Sequence, residues 1–262
     1  MYKQSEPKSM PNDELLSQLV AMSRSLGDPI NDYVILGEGN TSAKVDADSF
    51  WVKASGTELR TITENGFVQV SLAKAKAMLT GPDLSDEEVR QALGDAKLDP
   101  AAPGHPSVET VLHAACLDLD GVNFVGHTHP TAINMLTCSV AFEDAFAGRL
   151  FPDEIVLCGP APVLVPYTDP GLPLAREVYR RIHQHIDVYG EAPKVLHLQN
   201  HGLFVLAKSA KQVENITAMM VKTARILVGA YALGGPHFMT PANVARIHTR
   251  PDEHYRQKII GA

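Results

Sequence analysis

The stretch Val125-Gly126-His127-Thr128-His129-Pro130 restricts what this chain can fold into more than any other. Its two histidines sit two residues apart, after an apolar run and before a proline. On a strand, positions i and i+2 project from one face, so both imidazoles aim at one point, as a metal site requires. On a helix they would diverge by about 200°. The preceding residues, Leu117 to Phe124, read as a helix end, a turn at Gly121 and the start of a strand,. A strand is therefore predicted here.

The rest of the chain interleaves strands with helices. Asn12 to Leu26 has cap-type and acidic residues at its start and an apolar face of Leu15, Leu16, Leu19, Val20 and Met22, which predicts a helix,. Tyr33 to Val45 is an extended run broken by glycines at Gly37 and Gly39. Phe50 to Thr57 is a strand entering a turn at Ser55-Gly56. Both turns carry hydroxyls and free N–H groups suited to anions; two tight hairpin turns are the competing reading. Phe67 to Leu72 alternates as a strand,. Ala73 to Leu79 is helical, and residues 82–105 are loop, a flap around a short capped helix from Ser85,. Pro106-Ser107-Val108-Glu109 is expected to open a helix, with proline at its first position and an acid in its first turn,. Thr131 to Leu136 is helical. Glu154 to Cys158 and Ala161 to Tyr167 are expected as short strands, Leu174 to Val188 as a helix. Lys194 to Leu206 forms two strands around Asn200-His201-Gly202, and Ala210 to Leu233 a long helix.

No repeat or linker divides this pattern, so one α/β domain with a mixed, largely antiparallel sheet flanked by helices is expected. Its bounds are residues 12–235, after a disordered lead of residues 1–11 and before a C-terminal tail, 236–262, that can pack on a neighbouring subunit. A net charge of −7 with no basic run excludes a nucleic-acid partner,. No apolar run reaches membrane-spanning length, and the polar N-terminus lacks a signal peptide's apolar core, so a cytoplasmic protein is expected,. Cys116, Cys138 and Cys158 are odd in number and set in apolar surroundings, which reads as reduced core thiols,.

A catalytic zinc ion takes three protein ligands and keeps one position open. His127 and His129 supply two. His201 is the leading third, because a turn beside Gly202 can present a side chain at a sheet end. His197, mid-strand between Leu196 and Leu198, is its rival, and His113, one helical turn after Glu109, a weaker one. A histidine pair hydrogen-bonded inside the domain is the alternative without metal. Glu109 is a helix-dipole partner, or a general base if the helix start faces the metal.

These pieces together resemble the class II aldolase/adducin family, whose enzymes include L-fuculose-1-phosphate aldolase, L-rhamnulose-1-phosphate aldolase and L-ribulose-5-phosphate 4-epimerase. The matching segments stand in family order: Gly39-Asn40-Thr41-Ser42, Ala54-Ser55-Gly56-Thr57, Pro106-Ser107-Val108-Glu109, Gly126-His127-Thr128-His129, Val165-Pro166-Tyr167 and Asn200-His201-Gly202. The resemblance implies a single three-layer α/β/α domain around a mostly antiparallel sheet. It implies Zn2+ or another divalent metal on His127, His129 and His201, with Glu109 as acid/base and Tyr167 as proton donor to a departing aldehyde oxygen. Asn40, Thr41, Ser55, Gly56 and Ser107 fall on substrate contacts, and a homotetramer in carbohydrate metabolism is implied. The expected activity is an aldolase cleaving a small hydroxy-carbonyl or sugar-phosphate-like substrate through a metal-stabilised enediolate. A decarboxylase, an epimerase or a non-catalytic adducin-like interaction domain are the alternatives. Val108 stands where these enzymes often carry a second serine, which points to a less charged or larger substrate. Glu rather than Asp at 109 leans toward carbon–carbon cleavage.

Overall fold

The structure, a computed structural model, describes residues 12–253. The expected lead, residues 1–11, lies outside the described residues, as does 254–262 at the other end.

One seven-stranded sheet organises the chain. Its strands are β1 (Asn40–Lys44), β2 (Ser49–Lys53), β3 (Phe67–Ser71), β4 (Phe124–Thr128), β5 (Val163–Val165), β6 (Val195–Leu198) and β7 (Gly202–Ala207). They lie in the order β3-β2-β1-β4-β7-β6-β5, and only β5 with β6 is a parallel pair. The sheet is mixed and mostly antiparallel, as the sequence predicts.

Helices cover both faces. On one side α2 (Leu72–Thr80), α3 (Asp86–Asp95), α4 (Thr110–Leu117) and α8 (Leu172–Tyr189) enclose a core with Val52, Val68, Val125, Leu196 and Phe204. On the other, α1 (Asn12–Leu26), α5 (Thr131–Thr137), α6 (Phe142–Ala145), α7 (Pro152–Cys158) and α9 (Ala210–Ala232) enclose Phe124, Val195, Leu203 and Val205. Strand alternation sends successive side chains into opposite cores. Every residue of β4, β6 and β7 is buried for that reason,.

Several local expectations change. Glu154 to Cys158 belongs to helix α7, not to a strand: extended Phe151, Pro152 in the first turn, and Asp153 and Glu154 behind it start a helix there,. All five residues are buried, so hydropathy alone imitated a buried strand. Helix α4 begins at Thr110, not at Pro106, with Glu109 as its N-cap. Pro106 is held in a bridge to Ala54, and His105 O accepts from Ser55 N–H, so this backbone is committed to the end of β2. Residues 96–98 do not form a free flap. Lys97 bridges Val70, and Leu98 N–H donates to Gln69 O on β3. Cys116 and Cys158 are buried as expected, but Cys138 is exposed at the end of α5. The sequence predicts no structure for tail residues 236–253; there Phe238 joins the second core, Met239 N–H donates to Arg149 O, and a helix, α10 (Pro241–Thr249), lies against α7.

Candidate metal and active site

The site lies where β1, β4 and the β6–β7 turn end together. Alternation on β4 turns His127 toward the α4 side, beside Phe204, whose ring stacks on it at 4.0 Å. His129 follows one residue beyond the strand, its N–H donating to Tyr33 O. Leu198 pairs with Gly202, and the three residues between them form the turn. Asn200 takes the left-handed backbone there with φ 55°, a conformation Asn tolerates better than most residues. His201 is thereby carried to the two other histidines. Gly202 permits the approach: a Cβ would stand 2.6 Å from Thr128 O and 2.7 Å from His129 Cδ2.

The result is a cluster in which the ligand atoms of His127, His129 and His201 all lie within 4.8 Å of one another. His127 Nε2 and His129 Nε2 are 2.9 Å apart. Glu109 spans the cluster, with Oε2 3.4 Å from His127 Nε2 and Oε1 3.4 Å from His201 Nε2. His127 Nδ1–H donates to Leu203 O at 3.0 Å. A carbonyl only accepts, so this bond leaves the Nε2 lone pair facing the cluster. Burial holds His127 well below the usual imidazole range and brings His201 down to about 4; His129 is lowered for the same reason. All three are neutral at pH 7, the form that binds metal. Burial pushes Glu109 up to about 7, against the opposing pull of the Asn40 hydrogen bond and the Lys53 charge. Its Oε1 is buried with no hydrogen-bond partner. Three neutral nitrogens and an unsatisfied carboxylate oxygen converging on one point suit a divalent cation with an open coordination position.

The remaining expected residues divide. Asn40 Nδ2–H donates to Glu109 Oε2 at 2.6 Å and lies 3.5 Å from Ser107 Oγ, which accepts from Glu109 N–H. Ser55 adjoins this segment, its hydroxyl donating to Pro106 O at 3.4 Å, and Gly56 follows with φ 79°. Asn40, Ser55, Gly56 and Ser107 therefore form one rim. Thr41 does not belong to it. Alternation on β1 turns Thr41 to the opposite face, where its hydroxyl shares a 2.6 Å hydrogen bond with Ser23 of α1, fully buried. Tyr167 is exposed just after β5. Its N–H donates to Gln199 Oε1, and its hydroxyl donates to Asp169. Among the described residues no hydrogen bond links that hydroxyl to the histidines. His197 faces away from the site, stacked on Phe146 at 3.8 Å. His113 is not a ligand either; it contacts Asn40 and Ser42.

Two residues at the site escaped the sequence reading. Lys53 is 4% exposed, its ammonium 3.4 Å from Gly37 O and close enough to Glu109 to affect it. Its strand position, on the same face as Ser49 and Trp51, reads as ordinary surface. Glu38 lies 3.8 Å from His129 Nδ1, the place of a carboxylate that orients a metal-binding imidazole. Its only signal was a Gly-Glu-Gly triplet.

Comparison with known proteins agrees with this geometry. The family model for the Class II Aldolase and Adducin N-terminal domain matches residues 17–228. An uncharacterized oxidoreductase, YuxG, from Bacillus subtilis (strain 168) is 29% identical over 196 residues, 72% of this chain. The chain spans only 26% of that relative's length. The N-terminal class II aldolase domain of a conserved protein from Thermoplasma acidophilum superposes with a TM-score of 0.66 at 28% identity, covering 87% of this chain and 99% of that one. An L-fuculose 1-phosphate aldolase superposes with a TM-score of 0.69 at 16% identity, covering 95% and 99%, a likeness of fold alone. Because the family model spans the sheet and every residue of the histidine cluster, the chain belongs to the class II aldolase and adducin N-terminal domain family.

Proposed function

We propose that the chain is a divalent-metal-dependent aldolase, a carbon–carbon lyase acting on a small hydroxy-carbonyl compound. One observation carries the reading: a buried carboxylate, Glu109, stands 3.4 Å from two of three clustered histidine nitrogens. Zn2+ or another divalent ion held by His127, His129 and His201 would supply Lewis acidity, polarising a carbonyl oxygen. Glu109 moves the proton at the carbon next to that carbonyl, and Asn40 holds Glu109 in place. Ser55, Gly56 and Ser107 receive the substrate's polar end. Val108, 58% exposed beside Ser107, presents an apolar surface there, which supports a substrate that is weakly charged at that end. Tyr167 is the proposed donor to the departing oxygen, its backbone held by Gln199 two residues from His201.

Retention of the three histidines and Glu109 disfavours a purely adducin-like interaction role. Decarboxylation of a 3-oxo acid is the second reading, and Lys53 favours it as a buried cation to which a substrate carboxylate would be drawn. A homo-oligomer is also proposed, supported by exposed Ile30, Ile35 and Leu36 on the loop that carries Glu38.

Metal analysis and proton exchange test the proposal. The purified chain should carry one divalent ion, and His127→Ala should lose it. Glu109→Gln should keep the ion yet lose, by about a hundredfold or more, exchange of the carbon-bound protons of dihydroxyacetone. A protein that takes up no divalent metal would sink the enzyme reading; unchanged exchange in Glu109→Gln would remove the base assignment.

A further inference from the structure

We propose that His113 is a positioning residue: its ring fixes which way Asn40's carboxamide faces, and so presents Asn40 Nδ2–H to Glu109. Asn40 and Ser42 are alternate residues of β1, so they share a face and stand about 7 Å apart along the strand. The two nitrogens of one imidazole can bridge that gap. His113, fully buried on α4, does so: Nδ1 lies 2.6 Å from Ser42 Oγ, and Nε2 contacts Asn40 Oδ1.

The directions of these bonds follow from what each atom can do. Glu109 Oε2 accepts from Asn40 at 2.6 Å, so the Asn40 atom facing it is the N–H donor,. Oδ1 then faces His113 and accepts, so Nε2 carries the ring proton. Nδ1 is left as an acceptor, and the Ser42 hydroxyl donates to it. The chain runs one way, from Ser42 through His113 and Asn40 to Glu109. The opposite tautomer would turn Asn40 Oδ1 onto Glu109, acceptor against acceptor whenever the carboxyl is ionised, the form in which it acts as a base. Burial keeps the ring neutral, and Phe204, tilted against it with centroids 5.4 Å apart, holds its plane. Without His113, Asn40 Oδ1 would be a buried acceptor with nothing to face, and the carboxamide would be free to turn.

The functional part of this inference rests on the reading of Glu109 as the acid/base group; the tautomer does not. In the full-length protein labelled with 15N-histidine, the His113 resonances, identified by their loss in His113→Phe, should show a protonated Nε2 and a bare Nδ1. A proton on Nδ1 would overturn the proposal whatever the enzyme does. His113→Phe should keep its divalent metal, shift the Asn40 side-chain amide resonances and slow proton exchange by about tenfold to a hundredfold. His113→Gln, which returns an N–H at the Nε2 position, should restore most of that loss. Unchanged amide resonances and exchange in His113→Phe would overturn the proposal, as would failure of His113→Gln to rescue. Should His113→Phe fail to fold, His113→Gln supplies the spectral assignment and the tautomer decides. If the wild-type protein shows no exchange on any ketone, the proposed activity fails while the tautomer still decides the role of His113.

Discussion

Gly202 shows how a single residue without chemistry of its own can govern the site. The space for its Cβ is already taken by Thr128 O and the His129 ring. Gly202→Ala must push His129 away or shift the β6–β7 turn that carries His201. Either way metal affinity should fall by about tenfold to a hundredfold, the range for disturbing the support of a metal ligand, as read by titration with Zn2+ or Co2+. An unchanged affinity would show that the turn relaxes freely. At this scale the sequence was informative where alternation on a strand decides a direction. His127 and His129 follow from that rule, and so does the error at Thr41, since Asn40 and Thr41 cannot both face the rim. Lys53 was illegible for the same reason. Its strand face reads as outward, whereas in the fold its ammonium is turned to Gly37 O and lies near Glu109.

Among the elements, α7 is held by a buried ion pair. Arg149 Nη1 donates to Glu154 Oε1 at 2.9 Å, and both side chains are 2% exposed. The other two guanidinium nitrogens, Nε and Nη2, donate to Gly159 O and Cys158 O, so Arg149 also caps the helix's C-terminal carbonyls,. Glu154→Gln would leave this guanidinium buried without its counter-charge. A loss of about 3–5 kcal/mol is expected, measured by urea unfolding, with Arg149→Met restoring part of it in the double variant. A loss below about 1 kcal/mol would mean that water reaches the pair. Elements were legible where start signals and periodicity agreed, as in α1, α3 with its Ser85–Glu88 capping box, and α9. They were misread where one signal spoke alone. Apolar Ile155 to Cys158 imitated a strand, and Pro106 imitated a helix start while its backbone was bound to β2. No local pattern around Lys97 announces its bridge to Val70.

For the whole molecule, buried neutral histidines couple stability to pH. Burial brings both His113 and His197 down to about 3, below the unfolded value of about 6.5. The unfolded chain binds more protons between those values. Their contribution is therefore complete above about pH 6.5, declines as the pH falls, and is gone near pH 3, with a slope of up to about 1.4 kcal/mol per pH unit for each group. The metal-free protein should lose stability across that window. His197→Leu should flatten the slope without destabilising the protein at pH 7, because neither ring nitrogen has a hydrogen-bond partner to lose. Denaturant titrations from pH 7 to pH 4 check both.

The site is also assembled from far apart in the chain: Asn40 meets Glu109 across 69 residues, and His127 meets Leu203 across 76. Contacts of such long range form only together with the pairing of β1, β4 and β7, which spans as many residues,. A half-folded chain thus has no pocket in which to trap an ion. Metal should slow unfolding strongly and leave the refolding rate nearly unchanged, a split that stopped-flow kinetics with and without Zn2+ would reveal. Capture of the ion then acts as a ratchet, setting the lifetime of the finished protein rather than the speed at which it is made.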